Sequence, residues 1–229
     1  MNPSPPAASP SPHGTGAGRS RSAWIWFVVI LIGATTVDLV SKDLAFARIA
    51  PAPVQIERAE VIEAQKAGRP LGTLLPRHDP VVVVPRTLEF TLVLNKGAVF
   101  GLGAGGRWFF VAATVAAIGF GMWMFLRWTG PRDHLAHAAI ALVLAGGLGN
   151  LYDRIVFACV RDFLHPLPGL TYPFGISTPW SGREVWPYVS NIADLFLLIG
   201  VAGIMLFLLQ QPQPSDDLPD APPPNDLGV

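Results

Sequence analysis

With 229 residues, 51% of them hydrophobic and only 14% charged, the chain departs from an ordinary soluble domain, in which about a quarter of residues carry charge. Sixteen basic against sixteen acidic side chains leave no net field to recruit nucleic acid. A single cysteine, Cys159, excludes an internal disulfide and a cysteine-rich metal site.

A mean hydropathy of +0.42 and several long apolar runs point to an integral membrane protein. Residues 1–22 open with Pro, Ser, Gly and Ala and bury too little apolar surface to offset their ordering entropy, which predicts a disordered tail. The first apolar run, Ala23 to Val40, follows Arg19 and Arg21 and is long enough to span a bilayer. A cleaved signal peptide is the rival, since Ala45-Phe46-Ala47 has a small-x-small pattern. Asp38, Lys42 and Asp43 near the end of the run, and three further apolar runs, count against it. Asp38 and Lys42 are four apart and share a helical face, where a mutually neutralising pair is the plainest expectation.

Residues 51–86 are expected outside the membrane, with a short charged helix over Ile56–Gly68 and a strand at Val81–Val84. From Thr87 the pattern alternates, with Leu88, Phe90, Leu92 and Leu94 on one face, which predicts a half-buried strand. It ends at Asn95, in a glycine-rich loop containing Gly97. The second span is Trp108–Trp128, with aromatic anchors at both ends. The third, about His137–Tyr152, is rich in Ala and Gly, which suits close helix contact. The fourth is Ile192–Leu209, and residues 210–229 are read as a disordered tail. Arg19, Arg21, Arg127 and Arg132 place both termini in the cytoplasm. The fold expected is thus an α-helical integral membrane protein: four transmembrane helices (about 23–40, 108–128, 137–152 and 192–209) in a unit 23–209, plus a small extracytoplasmic β element.

Alternating spans put Asp38, Asn95, Asn150 to Arg154 and Asp194 on one side of the membrane. Ionisable groups at such depths are costly, so their grouping marks a site. Asn150, Asp153 and Arg154 share a helical face. For Asp153, an ion pair with Arg154 or a neighbour weighs more than catalysis, whereas the fork of donors on Arg154 suits a carbonyl or anionic group of a substrate. Asn191 is a good N-cap for the last span, and Asp194 three residues on complements the positive helix end. Capping and a general-base role are compatible there. If Asp162 and Asp194 share a site, their mutual repulsion splits them into an acid and a base.

Other chemistries are weaker. Ser41 and Lys42 are sequence neighbours, which do not face each other on a helix. The histidines are dispersed, and His134 and His137 fall on the side opposite the acids, so no metal and no cofactor is expected. Cys159 sits in an apolar run and reads as an inert packed thiol.

Taken in order, DLVSK (38–42), NKGAVFG (95–101), GGLGNLYDR (146–154), VRDF (160–163) and SNIAD (190–194) resemble the motifs of bacterial lipoprotein signal peptidase, signal peptidase II. The resemblance covers most of residues 24–209. It implies a membrane aspartic endopeptidase that cleaves prolipoproteins just before the diacylglyceryl-modified cysteine, on the periplasmic or outer face of the inner membrane. It also implies that Asp162 and Asp194 are catalytic, and that Asp38, Lys42, Asn95, Gly97, Asn150, Asp153, Arg154 and Asn191 bind substrate or support the site. The partners expected are prolipoprotein substrates and membrane lipid, with the enzyme a monomer. Departures from the pattern are Ser190 in place of a phenylalanine, Arg161 in place of a small apolar residue, and longer segments at 51–86 and 165–187. Two unlike alternatives are a small transporter, which would need ionisable groups near the bilayer midplane, and a non-catalytic membrane scaffold.

Overall fold

A computed structural model describes residues 16–97, 106–179 and 181–211. The rest of the predicted N-terminal tail (1–15), most of the C-terminal tail (212–229), the centre of the glycine-rich loop (98–105) and Trp180 lie outside the described residues.

Among the described residues, five α-helices and three strands carry the fold: α1 (Arg21–Arg48), α2 (Arg58–Lys66), β1 (Val81–Val84), β2 (Leu88–Asn95), α3 (Gly106–Arg127), α4 (His134–Val156), β3 (Val160–Pro166) and α5 (Ile192–Leu209). Three of them, α1, α4 and α5, are long and apolar enough to cross a membrane, and α3 contributes a shorter apolar stretch at Val111–Arg127. Their outward faces keep residues such as Ile32, Leu198 and Met205 exposed, as lipid-facing surfaces must be.

Helix α4 is the centre, and small residues let its neighbours close on it. A side chain added at Gly149 would run into the Asp38 carboxylate of α1, and one at Gly146 into the Ala193 carbonyl of α5. Gly121 of α3 faces Leu144 and Ile140 in the same way. At one end of the bundle Phe27 stacks on Phe125, with ring centroids 4.2 Å apart, over Ile140 and Leu144. Residues 16–22, which the sequence reading had placed in a disordered tail, pack against this end. Ala17 is fully buried and donates its N–H to the Thr129 carbonyl at 2.8 Å, and Ser20 caps α1 through the Ala23 N–H. A small residue fits where its composition had argued for disorder.

Beyond the opposite end lies a three-stranded antiparallel sheet in the order β1-β2-β3. Leu92 and Leu94 of β2 and Phe163 of β3 pack with Val61 and Ala64 of α2 and with Phe46 of α1. The segment 51–86 therefore roofs the sheet with α2, and Gln65 donates to the Ala158 carbonyl at 2.9 Å, fixing the turn that leads into β3. Ser190 joins β3 to α5. Its carbonyl accepts from Phe163 and Leu164, each at 2.8 Å, and its N–H donates to the Leu164 carbonyl. These are backbone bonds, which is why a serine suffices at this position. The segment expected to be a loop from His165 begins later, because His165 and Pro166 belong to β3 and His165 pairs with Glu89 at 2.8 Å.

Candidate active site

The polar cluster sits where α1, α4, β3 and the first turn of α5 converge. On α1, one helical turn carries Asp38 and Lys42 to the same side, and both are fully buried. Lys42 Nζ donates to Asp38 Oδ2 at 2.8 Å and to Asn150 Oδ1 on α4 at 3.1 Å. It also lies 3.5 Å from Asp153 Oδ2. Asp38 reaches α5 as well, accepting the Ala193 N–H at 2.8 Å. The expected pair on α1 thus exists, and it also supplies an acceptor to the opening of a distant helix.

α5 opens with a reciprocal cap. Asn191 Oδ1 accepts the Asp194 N–H at 3.1 Å, and Asp194 Oδ2 accepts the Asn191 N–H at 3.2 Å. The other Asp194 oxygen accepts from Asn150 Nδ2 at 2.9 Å. The Asn191 amide meanwhile donates to Asp162 Oδ1 at 2.6 Å and to Asn150 Oδ1 at 3.2 Å. A single asparagine therefore holds both candidate carboxylates.

Asp162 is almost wholly buried, and its Oδ2 has no hydrogen-bond partner among the described residues. Burial and the nearby charge of Asp194 push its pKa up from 3.8 to about 7, against the pull of the Asn191 and Asn95 amides and of Lys42. Two neighbouring carboxylates in unequal surroundings are what acid–base division of labour requires. Arg154 lies within electrostatic reach of Asp194, Asp162 and Asp153, and donates to the Asn150 carbonyl at 3.1 Å.

Clefts approach the pair from different sides. One of about 570 Å³ runs past Asn95, Lys96, Asp162 and Tyr188. A second, about 510 Å³ and almost entirely apolar, is lined by Leu88, Leu164, Trp186, Ile192, Asp194 and Leu198. A third, between α3, α4 and α5, reaches Asn150, Arg154 and Asp194. Asn95 closes a turn on itself by accepting the Gly97 N–H at 2.8 Å, and Gly97 has φ +80°, a conformation glycine adopts without strain.

Asp153 is fully buried and bonded to Arg161 as well as lying beside Lys42, so its ion pairs reach across the fold rather than along α4. Sequence reasoning missed β3 altogether and with it the place of Arg161. Val160 to Phe163 are all buried, so no alternation of polar and apolar residues betrays the strand. Cys159 is buried, and its thiol pKa is pushed up to about 12 by burial and the charge of Asp153, in keeping with an inert packed residue.

Residues 29–210 match the family described as Signal peptidase (SPase) II. A lipoprotein signal peptidase of Methylorubrum extorquens (strain PA1) is 37% identical over 149 residues, covering 63% of this chain and 76% of that protein. Another, of Pseudomonas putida, is 32% identical over 152 residues, covering 64% and 80%. Among solved structures, a bacterial membrane enzyme determined by the in meso method at 1.9 Å resolution superposes with a TM-score of 0.58 at 23% identity, covering 87% of this chain and all of that one. It shares the helical membrane fold with its small sheet.

Proposed function

This chain belongs to the signal peptidase II family, and on that premise we propose that it is an aspartic endopeptidase that removes the signal peptide from lipid-modified prolipoproteins, with Asp162 and Asp194 as its catalytic pair. The observation that carries the assignment is the shared tether: Asn191 donates to Asp162 while capping with Asp194. Supporting it are the clefts that Asp162 and Asp194 line, one past Asn95 and Tyr188 and one almost entirely apolar beside Trp186 and Leu198.

Asp194, as carboxylate, takes a proton from a water that attacks the scissile carbonyl carbon. Asp162 holds the shared proton and delivers it to the leaving nitrogen as the C–N bond breaks. Arg154 and the amides of Asn95 and Asn150 orient the peptide and the carboxylates. Asp38, Lys42, Asp153, Gly97 and Asn191 hold those groups in place, and no metal or cofactor takes part.

We assign α1, α3, α4 and α5 to four crossings, with both termini cytoplasmic, the site on the outer face, residues 23–209 as the peptidase unit and the chain acting as a monomer in lipid. Cleavage of a diacylglyceryl-modified prolipoprotein by Asp162→Asn and Asp194→Asn proteins tests the reaction. Each loses general acid–base help worth roughly 10²–10⁴-fold and should fall near background while remaining in the membrane. Near-normal cleavage by Asp194→Asn would reduce that residue to a helix cap.

A further inference from the structure

Arg161 is buried and bonded to two carboxylates, Asp153 and Asp43, neither of which belongs to the proposed catalytic pair. It neighbours Asp162 in sequence, yet successive residues of a strand point to opposite faces. Its guanidinium is turned away from the carboxylate pair and buried between α1 and α4. Nε and Nη2 donate to Asp153 Oδ1 at 3.2 and 2.9 Å, its backbone N–H donates to Asp153 Oδ2 at 3.0 Å, and Nη1 donates to Asp43 Oδ1 at 2.6 Å. The guanidinium carbon lies 4.2 Å from the centre of the Phe157 ring.

Asp38, Lys42 and Asp153 are all fully buried. Lys42 alone would face two carboxylates, and a buried charge left uncompensated is strongly destabilising. Arg161 supplies the second cation, and its three N–H groups hold Asp153 so that Lys42 can settle on Asp38 and Asn150. Asn150 in turn bonds Asp194, and through Asn191 it is joined to Asp162.

We propose that Arg161 is a positioning residue for the peptidase reaction, fixing Asp153 and thereby the Lys42–Asn150 arm that orients and electrostatically biases the Asp162–Asp194 pair. The inference rests on the catalytic reading of that pair. Among the described residues, the charged groups facing Asp162 are Asp194 from α5, Lys42 from α1, Arg154 from α4 and Lys96 just after β2 in the cleft that Asp162 lines, with Asp38, Asp153 and Arg161 behind them. Removing the Arg161 charge, and drawing Lys42 toward a less compensated Asp153, both favour the protonated form of Asp162.

The test is the pH dependence of kcat and KM on a synthetic diacylglyceryl-modified prolipopeptide, with thermal unfolding measured in the same detergent. Arg161→Met should cut kcat about tenfold with KM nearly unchanged and move the alkaline limb upward by about half a pH unit, as loss of one screened charge would. Arg161→Lys should restore the limb. Arg161→Gln, which keeps a donor for Asp153 but no charge, replaces the Met variant if that fails to fold, with the same shift expected. A folded uncharged variant with the parent's limb, only less stable, would overturn the proposal and leave Arg161 a structural prop. Inactive Asp162→Asn and Asp194→Asn proteins beside such a result would sink this inference alone, whereas active ones would sink the catalytic pair itself.

Discussion

The side-chain amide of Asn191 donates to Asp162 Oδ1 at 2.6 Å, from the residue that also caps the helix bearing Asp194. The start of α5 and the position of Asp162 are therefore fixed by one side chain. Asn191→Ala removes the cap, worth about 1 kcal/mol, and frees both carboxylates from their tether. The variant should unfold at a lower temperature, and its cleavage should fall by more than the loss of folded enzyme explains. Asn191→Ser would keep an acceptor for the cap but lose the amide that reaches Asp162, so it should rescue stability without rescuing cleavage. Equal rescue of both would show that Asn191 acts only as a cap.

Asp162 also makes stability depend on pH. Its folded-state pKa of about 7 exceeds the ordinary 3.8, so between these values the folded protein binds more protons than the unfolded chain. Stability is thus highest below about pH 4 as far as this group is concerned, and is lost as pH rises through about 7, by an amount on the order of a few kcal/mol. Asp162→Asn should abolish that decline and be the more stable protein at alkaline pH, though inactive. Thermal unfolding of the two proteins in detergent across this range measures it; parallel curves would show that Asp162 is not protonated in the fold.

Gly149 lets α4 approach the Asp38 carboxylate so closely that a β-carbon has no room. Gly149→Ala should cost about 1–3 kcal/mol, the usual range for overpacking a filled site. Because the displaced group is Asp38, which pairs with Lys42 and accepts the Ala193 N–H, cleavage should fall as well. Gly33 of α1, which has open space around it, is the control: Gly33→Ala should leave both unchanged.

The segment between β3 and α5 folds back on itself, with Val185 donating to Leu170 and Tyr172 to Arg183. It leaves Phe174 98% exposed and sets Trp186 along the apolar cleft beside Asp194. Replacing its tip, residues 171–183, by a short turn should change turnover or substrate preference while the helices still fold, since its ends are held separately by Thr87 and Leu164. Unchanged cleavage of several prolipoprotein substrates would make the segment a connection and no more.

Sequence alone determined the parts whose physics is local. α5 begins and ends at the predicted residues, because a cap followed by an unbroken apolar run is a signal contained within one segment. β2 was legible in its alternation, and the Asp38–Lys42 pair in its spacing. Tertiary structure decided where charge could be buried. α1 runs on to Arg48, beyond the predicted Val40, since Asp38 and Lys42 find partners on α4 and α5 that no hydropathy pattern shows. β3 was hidden because both of its faces are covered, Arg161 turning to Asp153 and Asp162 to Asn191. Two adjacent charges on a buried strand look like a loop until the groups that compensate them, lying far away in the chain, are brought alongside.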